Sequence, residues 1–282
     1  MIKIRDLKFS YTKDTFIEGV QFDVKEGEVF GFLGPSGAGK STIQKIMIGL
    51  LPGYEGSVVV NGKEVRNHGS DFYEEIGVDF EYPSLYEKLT ARENLDFFAS
   101  LYAGEKYDTM ELLKKVGLER DANKKVVEYS KGMKSRLSFV KALIHKPKIL
   151  FLDEPTSGLD PSNARVMKDM ILEQKEAGTT IIITTHNMED AAQLCDRVAF
   201  IVDGKIPLLD TPHKLMVQEG AKKVKYSYLD GTREVEGITA LEDLSEDRLF
   251  LDKMRYHELL TVHSGEPNLG DIFIKVTGRK LS

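Results

Sequence analysis

The chain has 282 residues, 41% of them hydrophobic and 30% charged. That length suits one large domain or two modest ones, and the mix builds an ordinary core and excludes a largely disordered chain. The net charge of −6, from 39 basic and 45 acidic residues, argues against a general nucleic-acid binder. The single cysteine, Cys195, excludes an internal disulfide framework or a Cys-clustered metal site and fits a reducing compartment.

The first 33 residues read as strands: Ile2, Ile4, Leu7 and Phe9, then Val20, Phe22 and Val24, recur at near-alternate positions, and an apolar run ends at Leu33. A Gly-rich loop at 34–40 leads into an apolar helix through Ile43, Ile46, Met47 and Leu50. Asn61-Gly62 after the valines at 58–60 signals a tight hairpin. The middle third turns helical. Thr90 with Glu93 forms a capping box ahead of Leu95, Phe97 and Phe98. Further helices are expected from Asp108 and over 131–145, giving a helical insert over about 83–145. Strand signals return at 149–152, 179–185 and 198–202, separated by a helix over 162–177 and another capped by Asn187. Strands alternating with helices indicate an α/β core with parallel strands.

Beyond residue 220 the pattern changes. Val224, Tyr226 and Tyr228 alternate, Asp230-Gly231 marks a hairpin, and a last helix from Asn268 would bury Ile272, Phe273 and Val276 on one face. The expected organisation is a core over 1–220 and a small α+β appendage over 221–282. No apolar run approaches 18 residues, and residues 1–12 lack the apolar stretch of a secretory signal. Any work at a membrane is therefore expected to go through a partner.

Gly34-Pro35-Ser36-Gly37-Ala38-Gly39-Lys40-Ser41 fits G-x-x-x-x-G-K-[ST] between a strand and a helix. Glycines let the backbone wrap phosphates with its amides inward, and the following helix offers its positive N-terminus. Lys40 is placed to reach the β- and γ-phosphates, and the Ser41 hydroxyl to ligate Mg²⁺. A nucleotide site also needs an acid for the metal. Asp153 ends the apolar run Ile149-Leu150-Phe151-Leu152, at the strand end where open α/β sheets bind ligands. Asp153 would hold Mg²⁺, directly or through water, and Glu154 would serve as general base toward an attacking water. His186 follows the next apolar strand and would face the γ-phosphate.

With these elements in this order, the sequence closely resembles the ATP-binding subunit of an ABC transporter. Tyr129-Ser130-Lys131-Gly132-Met133 is similar to that family's signature motif, Ser157-Gly158-Leu159-Asp160 to its D-loop, and His186 to its switch histidine. Tyr11 fits the aromatic position that stacks on adenine. The resemblance implies a P-loop NTPase core of the ABC type, with a mixed sheet and a helical insert. It implies that ATP and Mg²⁺ are held by Tyr11, the 34–41 loop and Thr42. In a head-to-tail pair, Ser130, the Gly132 amide and Asp160 would act from the other copy. The segment after Phe80 resembles the Q-loop, but Glu81 stands where that family has glutamine, so a carboxylate would be the extra metal ligand there. The partners implied are a second copy or a paralogous ATPase subunit, and an integral membrane permease. Tyr82, Pro83, Leu85 and Tyr86 are candidates for the groove that receives the permease, at the cytoplasmic face of the membrane. The run from Glu266 to Gly278 resembles the tail of the ABC-2 type export group, so an exporter subunit is the expected function. An importer subunit, a soluble ABC ATPase and a non-hydrolysing module are the alternatives.

Overall fold

In the computed structural model, residues 1–218, 223–256, 258–265 and 267–278 are described. The expected boundary at 220/221 and Glu266 of the C-terminal motif lie outside them. The chain forms two compact units, one from Met1 to Asp210 and one from Thr211 onward.

The first unit runs β1 (Ile2–Phe9), β2 (Ile17–Val24), β3 (Val29–Leu33), α1 (Lys40–Met47), β4 (Glu55–Val60), β5 (Lys63–Glu64) and β6 (Ile76–Asp79). Then come α2 (Ala91–Ser100), α3 (Thr109–Lys115), α4 (Lys131–Leu143), β7 (Ile149–Asp153), α5 (Pro161–Glu176), β8 (Thr180–Thr185), α6 (Met188–Leu194), β9 (Arg197–Val202) and β10 (Lys205–Asp210). A six-stranded sheet has the order β10-β9-β3-β8-β7-β6. It is parallel except for β10, which pairs antiparallel to β9. Its central strands β3 and β8 are buried at every residue, which explains their unbroken apolar or β-branched runs: both faces are covered.

A second, antiparallel sheet has the order β2-β1-β4-β5. Its Ile2, Ile4 and Phe22 join Ile43 and Ile46 of α1 and Phe30, Phe32, Phe151 and Ile182 of the parallel sheet in one buried cluster. The mixed α/β architecture expected from the sequence is therefore present. Between β4 and β5 the expected hairpin turns through Asn61 and Gly62, both at positive φ (47° and 77°), as a two-residue primed turn requires.

Sequence and structure differ in detail. Helix α1 stops at Met47, because Gly49 turns left-handed (φ 79°) and leaves Leu50 half exposed. The short strand β6 and the edge strand β10 were not expected; neither has a long apolar or cleanly alternating run to announce it. The three helices of the middle segment begin where their caps stand. Thr90 and Glu93 form the capping box of α2, Asp108 caps α3 and Ser130 caps α4.

The second unit contains α7 (Pro212–Gln218), β11 (Lys223–Asp230), β12 (Arg233–Ala240), α8 (Arg248–Arg255), β13 (Leu259–Ser264) and α9 (Leu269–Thr277). Its sheet has the order β12-β11-β13. Val224 and Tyr226 are buried, and Tyr226 meets Phe250 of α8 edge-on at 5.1 Å. Asn268 and Asp271 cap α9 reciprocally. Ile272 and Phe273 are buried as expected. Val276 is not, at 41% exposed, because the helix ends one residue later and its packed face runs out.

Candidate functional site

The sheet register brings three strand ends together. Leu33 of β3 pairs with Thr185 of β8, and Asp153 of β7 pairs with Thr184. Their following residues therefore open side by side onto a cleft of about 290 Å³. Its walls are Ser36, Gly37 and Gly39 of the loop, Lys40, Ser41 and Thr42 of α1, then Asp153, Glu154, His186, Glu81 and Phe16. Every one of these except Phe16 is a site residue expected from the sequence.

The loop itself is built by glycine. Gly34 has φ 157° and lies so close to β9 that a Cβ on it would stand 2.2 Å from the Ile201 carbonyl oxygen. Gly39, at φ 113°, precedes α1 with no side-chain cap, so the first amides of that helix are left for an acceptor from outside the chain. Lys40 is 7% exposed. Its ammonium donates to the carbonyls of Gly34 (2.7 Å) and Pro35 (3.1 Å). Among the described residues it has no ion-pair partner. Burial holds its pKa below the usual lysine value, against the opposing fields of Glu154, Asp153 and Glu81. A buried cation bonded only to carbonyls beside uncapped helix amides fits a polyphosphate chain.

Ser41 Oγ donates to Asp153 Oδ1 at 3.1 Å, and the Thr184 hydroxyl donates to the same oxygen. This hydroxyl and carboxylate supply the hard oxygen ligands that Mg²⁺ takes. No group of three or more His, Cys, Asp or Glu side chains is arranged to hold a metal among the described residues. One carboxylate and a hydroxyl are few protein ligands for an octahedral ion, and Mg²⁺ usually fills the rest of its shell with waters and substrate phosphate oxygens.

Glu154 stands at φ 53°, a conformation costly for a residue with a long side chain and one that marks functional turns. Its amide donates to the Thr184 carbonyl at 2.9 Å. The carboxylate accepts from the Thr185 hydroxyl (3.2 Å) and lies 2.9 Å from His186 Nδ1. The carboxylate side chain is 12% exposed and the imidazole 53%. Backbone strain, a hydroxyl and an imidazole thus aim one carboxylate into the cleft, the arrangement expected of a general base with an orienting partner.

Other expected residues sit elsewhere. The Tyr11 hydroxyl is 3.0 Å from Thr42 Oγ1, and its ring meets Phe9 edge-on at 4.8 Å and Phe16 at 5.6 Å. It is half exposed and flanks the cleft, while Phe16 lines it. Ser130 accepts from the Met133 amide (3.2 Å) as the cap of α4. Gly132 lies against Asn163 and Leu159. Asp160 caps α5 by accepting from the Ser162 and Asn163 amides, and these bonds, those of Asn163 first, hold its pKa below the usual aspartate value. None of Ser130, Gly132 or Asp160 lines the cleft of its own chain.

The ABC transporter family model matches residues 17–157 of this chain. A fluoroquinolones export ATP-binding protein of Mycobacterium tuberculosis is 50% identical over 285 residues, covering 100% of this chain and 95% of that protein. The chain belongs to the ABC transporter family. A linearmycin resistance ATP-binding protein of Bacillus subtilis is 33% identical over 309 residues, covering 100% of this chain and 99% of that one. Among solved structures, a dimeric ATP-binding cassette in a post-hydrolysis state, bound to ADP and phosphate, aligns with TM-score 0.67. It shares 27% identity and covers 75% of this chain and 98% of that one. This ABC cassette is accordingly an ATP-binding, ATP-hydrolysing protein with the P-loop NTPase fold.

Proposed function

We propose that this chain is the ATPase subunit of an exporter and works as a pair of copies, or with a paralogous subunit, on a separate membrane permease. The observation that carries the reading is the convergence of Lys40, Ser41, Asp153, Glu154 and His186 on one cleft in a chain that aligns end to end with an export ATP-binding protein. Among the described residues no helix is long and apolar enough to cross a membrane, so the membrane passage is assigned to a partner chain.

The chemistry follows from the residues. The amides of the 34–41 loop and Lys40 hold the phosphates and offset charge on the transferring γ-phosphoryl group. Ser41 and Asp153 would hold Mg²⁺, with Glu81 as an additional oxygen ligand; when bound, the ion neutralises phosphate charge. Glu154 positions the attacking water and takes its proton as the bond from the γ-phosphorus to the ADP oxygen breaks, giving ADP and phosphate. His186, on the Glu154 carboxylate, faces the γ-phosphate. Tyr11 and Phe16 offer aromatic faces to adenine. Ser130, Gly132 and Asp160, away from their own cleft, are free to close over the nucleotide of a second copy. ATP then bridges the two copies and hydrolysis removes the bridge, so the bistable element is their interface.

The permease is assigned to the aromatic surface beside Glu81. Tyr82 is 79% exposed, and Tyr86, half exposed, packs edge-on against Phe97 at 5.0 Å. Pro83 and Leu85 lie between them, and exposed aromatic groups of this kind mark protein interfaces. This contact would place the chain at the cytoplasmic face of the membrane. The named cargoes of the relatives range from fluoroquinolones to a lantibiotic and a Nod factor, so the exported molecule is assigned to the permease, with drug-like or peptide antibiotics as its class. The second unit is an accessory domain.

The test is Glu154→Gln, purified with Mg-ATP from detergent-solubilised membranes of its own host. A trapped ATP-bound pair that brings down an integral membrane protein of about six spans supports the exporter. A protein recovered only as a soluble dimer, or with ribosomes, overturns it.

A further inference from the structure

The segment that carries Glu81 into the cleft is pinned at both ends to a single helix. At its start, Asp79 closes β6 with a buried carboxylate that accepts from the Ser138 hydroxyl of α4 at 2.6 Å. At its end, the Ser84 carbonyl accepts from the Lys141 ammonium at 3.0 Å, and that ammonium also lies 5.0 Å from the Phe98 ring centre on α2. Ser138 and Lys141 are three residues apart on α4, so they share one face. Just beyond, Asn94 holds both the amide (2.8 Å) and the carbonyl (3.0 Å) of Tyr86. Between the anchors, Glu81, Tyr82 and Pro83 make no hydrogen bond among the described residues. The result is an arch with fixed feet and an unbonded crown. Glu81 points from the crown into the cleft, near enough to act on Lys40, while Tyr82 is exposed to solvent.

A buried carboxylate held by a single hydroxyl is an expensive anchor for a strand end, whereas an apolar residue there would pack without cost. What the anchor provides is a fixed distance between the arch and α4, the helix that begins at Ser130. We propose that Asp79, Ser138 and Lys141 are positioning residues of the nucleotide site: they clamp the arch to α4, set where the Glu81 carboxylate stands relative to the bound phosphates, and make Glu81 move with α4. The proposal rests on the reading of the cleft as the ATP site.

The probe is ATP in EDTA, whose binding needs neither metal nor turnover. A carboxylate facing the polyphosphate repels it, so Glu81→Gln should tighten metal-free ATP, by calorimetric titration, by on the order of 3- to 10-fold. In the Ser138→Ala and Lys141→Met backgrounds the arch is loosened, and the same change should alter affinity less than about twofold. Asp79→Asn keeps an oxygen to accept from Ser138 and should retain the full factor. A residue that only supports the fold would lower the melting temperature and leave the factor unchanged. Ser138→Ala removes one buried oxygen atom and serves if Lys141→Met does not fold. An equal factor in all backgrounds, or no effect of Glu81→Gln in the otherwise unaltered chain, overturns the clamp while leaving the ATP site standing. An unaltered chain that binds no ATP overturns the ATP reading and the clamp with it.

Discussion

Asp79 makes the first unit's stability depend on pH in a direction opposite to that of most carboxylates. Burial pushes its pKa up from 3.8 to about 6, only partly offset by the Ser138 hydrogen bond and Lys141, and Asp153 adds to the rise. Between about pH 4 and 6 the native state therefore binds more protons at this position than the unfolded chain does. Stability falls as pH rises through that window and stays lowered above it. A difference of about two pH units at 1.36 kcal/mol each is a cost of about 3 kcal/mol at neutral pH. Asp79→Asn removes the ionisation and keeps an acceptor for Ser138. Its amide hydrogens add a constant penalty of their own, so the informative quantity is how the difference between the two proteins changes with pH. Urea unfolding at intervals from pH 4 to 8 should show the variant gaining about 3 kcal/mol on the natural protein between pH 4 and pH 7, with no further gain above. Carboxylates whose pKa is lowered on folding, such as Glu64 and Glu75, are common to both proteins and cancel. A difference that stays flat from pH 4 to 7 would refute the argument that Asp79 is buried in the charged state at neutral pH.

Glu154→Gln should lower the steady-state ATPase rate by roughly 10²- to 10⁴-fold, the usual worth of a general base, with ATP affinity retained; wild-type turnover would remove Glu154 from that role. Gly34→Ala should destroy ATP binding, since the added methyl meets the Ile201 carbonyl and displaces the loop from β9; calorimetry showing normal affinity would mean the loop can give way. Asn94, fully buried, donates to the Tyr86 and Thr90 carbonyls and accepts from the Tyr86 amide. Asn94→Ala should cost about 1–3 kcal/mol and speed hydrogen exchange at Tyr86; unchanged exchange there would argue against the bracket. Phe273→Ala empties a fully buried site in the second unit and should destabilise it by about 3–5 kcal/mol, read as faster amide exchange in β11 and α9.

The parts of the site that were legible in the sequence are those whose chemistry is local. The 34–41 loop needs glycines and a lysine at fixed spacing. Asp153 and Glu154 announce themselves by ending an apolar run too uniform to be anything but a covered central strand. Phe16 carried no such signal: its neighbours Thr12, Lys13, Asp14 and Thr15 are polar, and it becomes a wall of the cleft only because the β1–β2 connection folds back over Gly39. Thr184 and Thr185 read as β-branched strand residues, although their hydroxyls hold Asp153 and Glu154. Asp79 was hidden for the opposite reason. A carboxylate at the end of a four-residue strand reads as a solvated turn, and only the packing of α4 over β6 buries it.

The case for two copies rests on a division within one chain. The cleft gathers a buried lysine, three hydroxyls, three carboxylates and an imidazole, yet apart from Lys40 no lysine or arginine lines it. The residues that resemble the rest of the ABC site, Ser130 and Gly132 at the start of α4 and Asp160 at the start of α5, lie together, linked by Gly132 against Asn163 and by Asn163 bonded to Asp160. With the first amides of α4 and α5 taken up by Ser130 and Asp160, this surface presents a hydroxyl, the Gly132 backbone and a carboxylate, and none of them lines the cleft of its own chain. Under the proposed reading, the cleft would hold the phosphates from one side and this separate surface of a second copy would meet them from the other, in a head-to-tail pair. Such a pair would close only while the γ-phosphate is present to be shared, and in that way a chain with no membrane-crossing helix among its described residues would convert hydrolysis into movement of a partner.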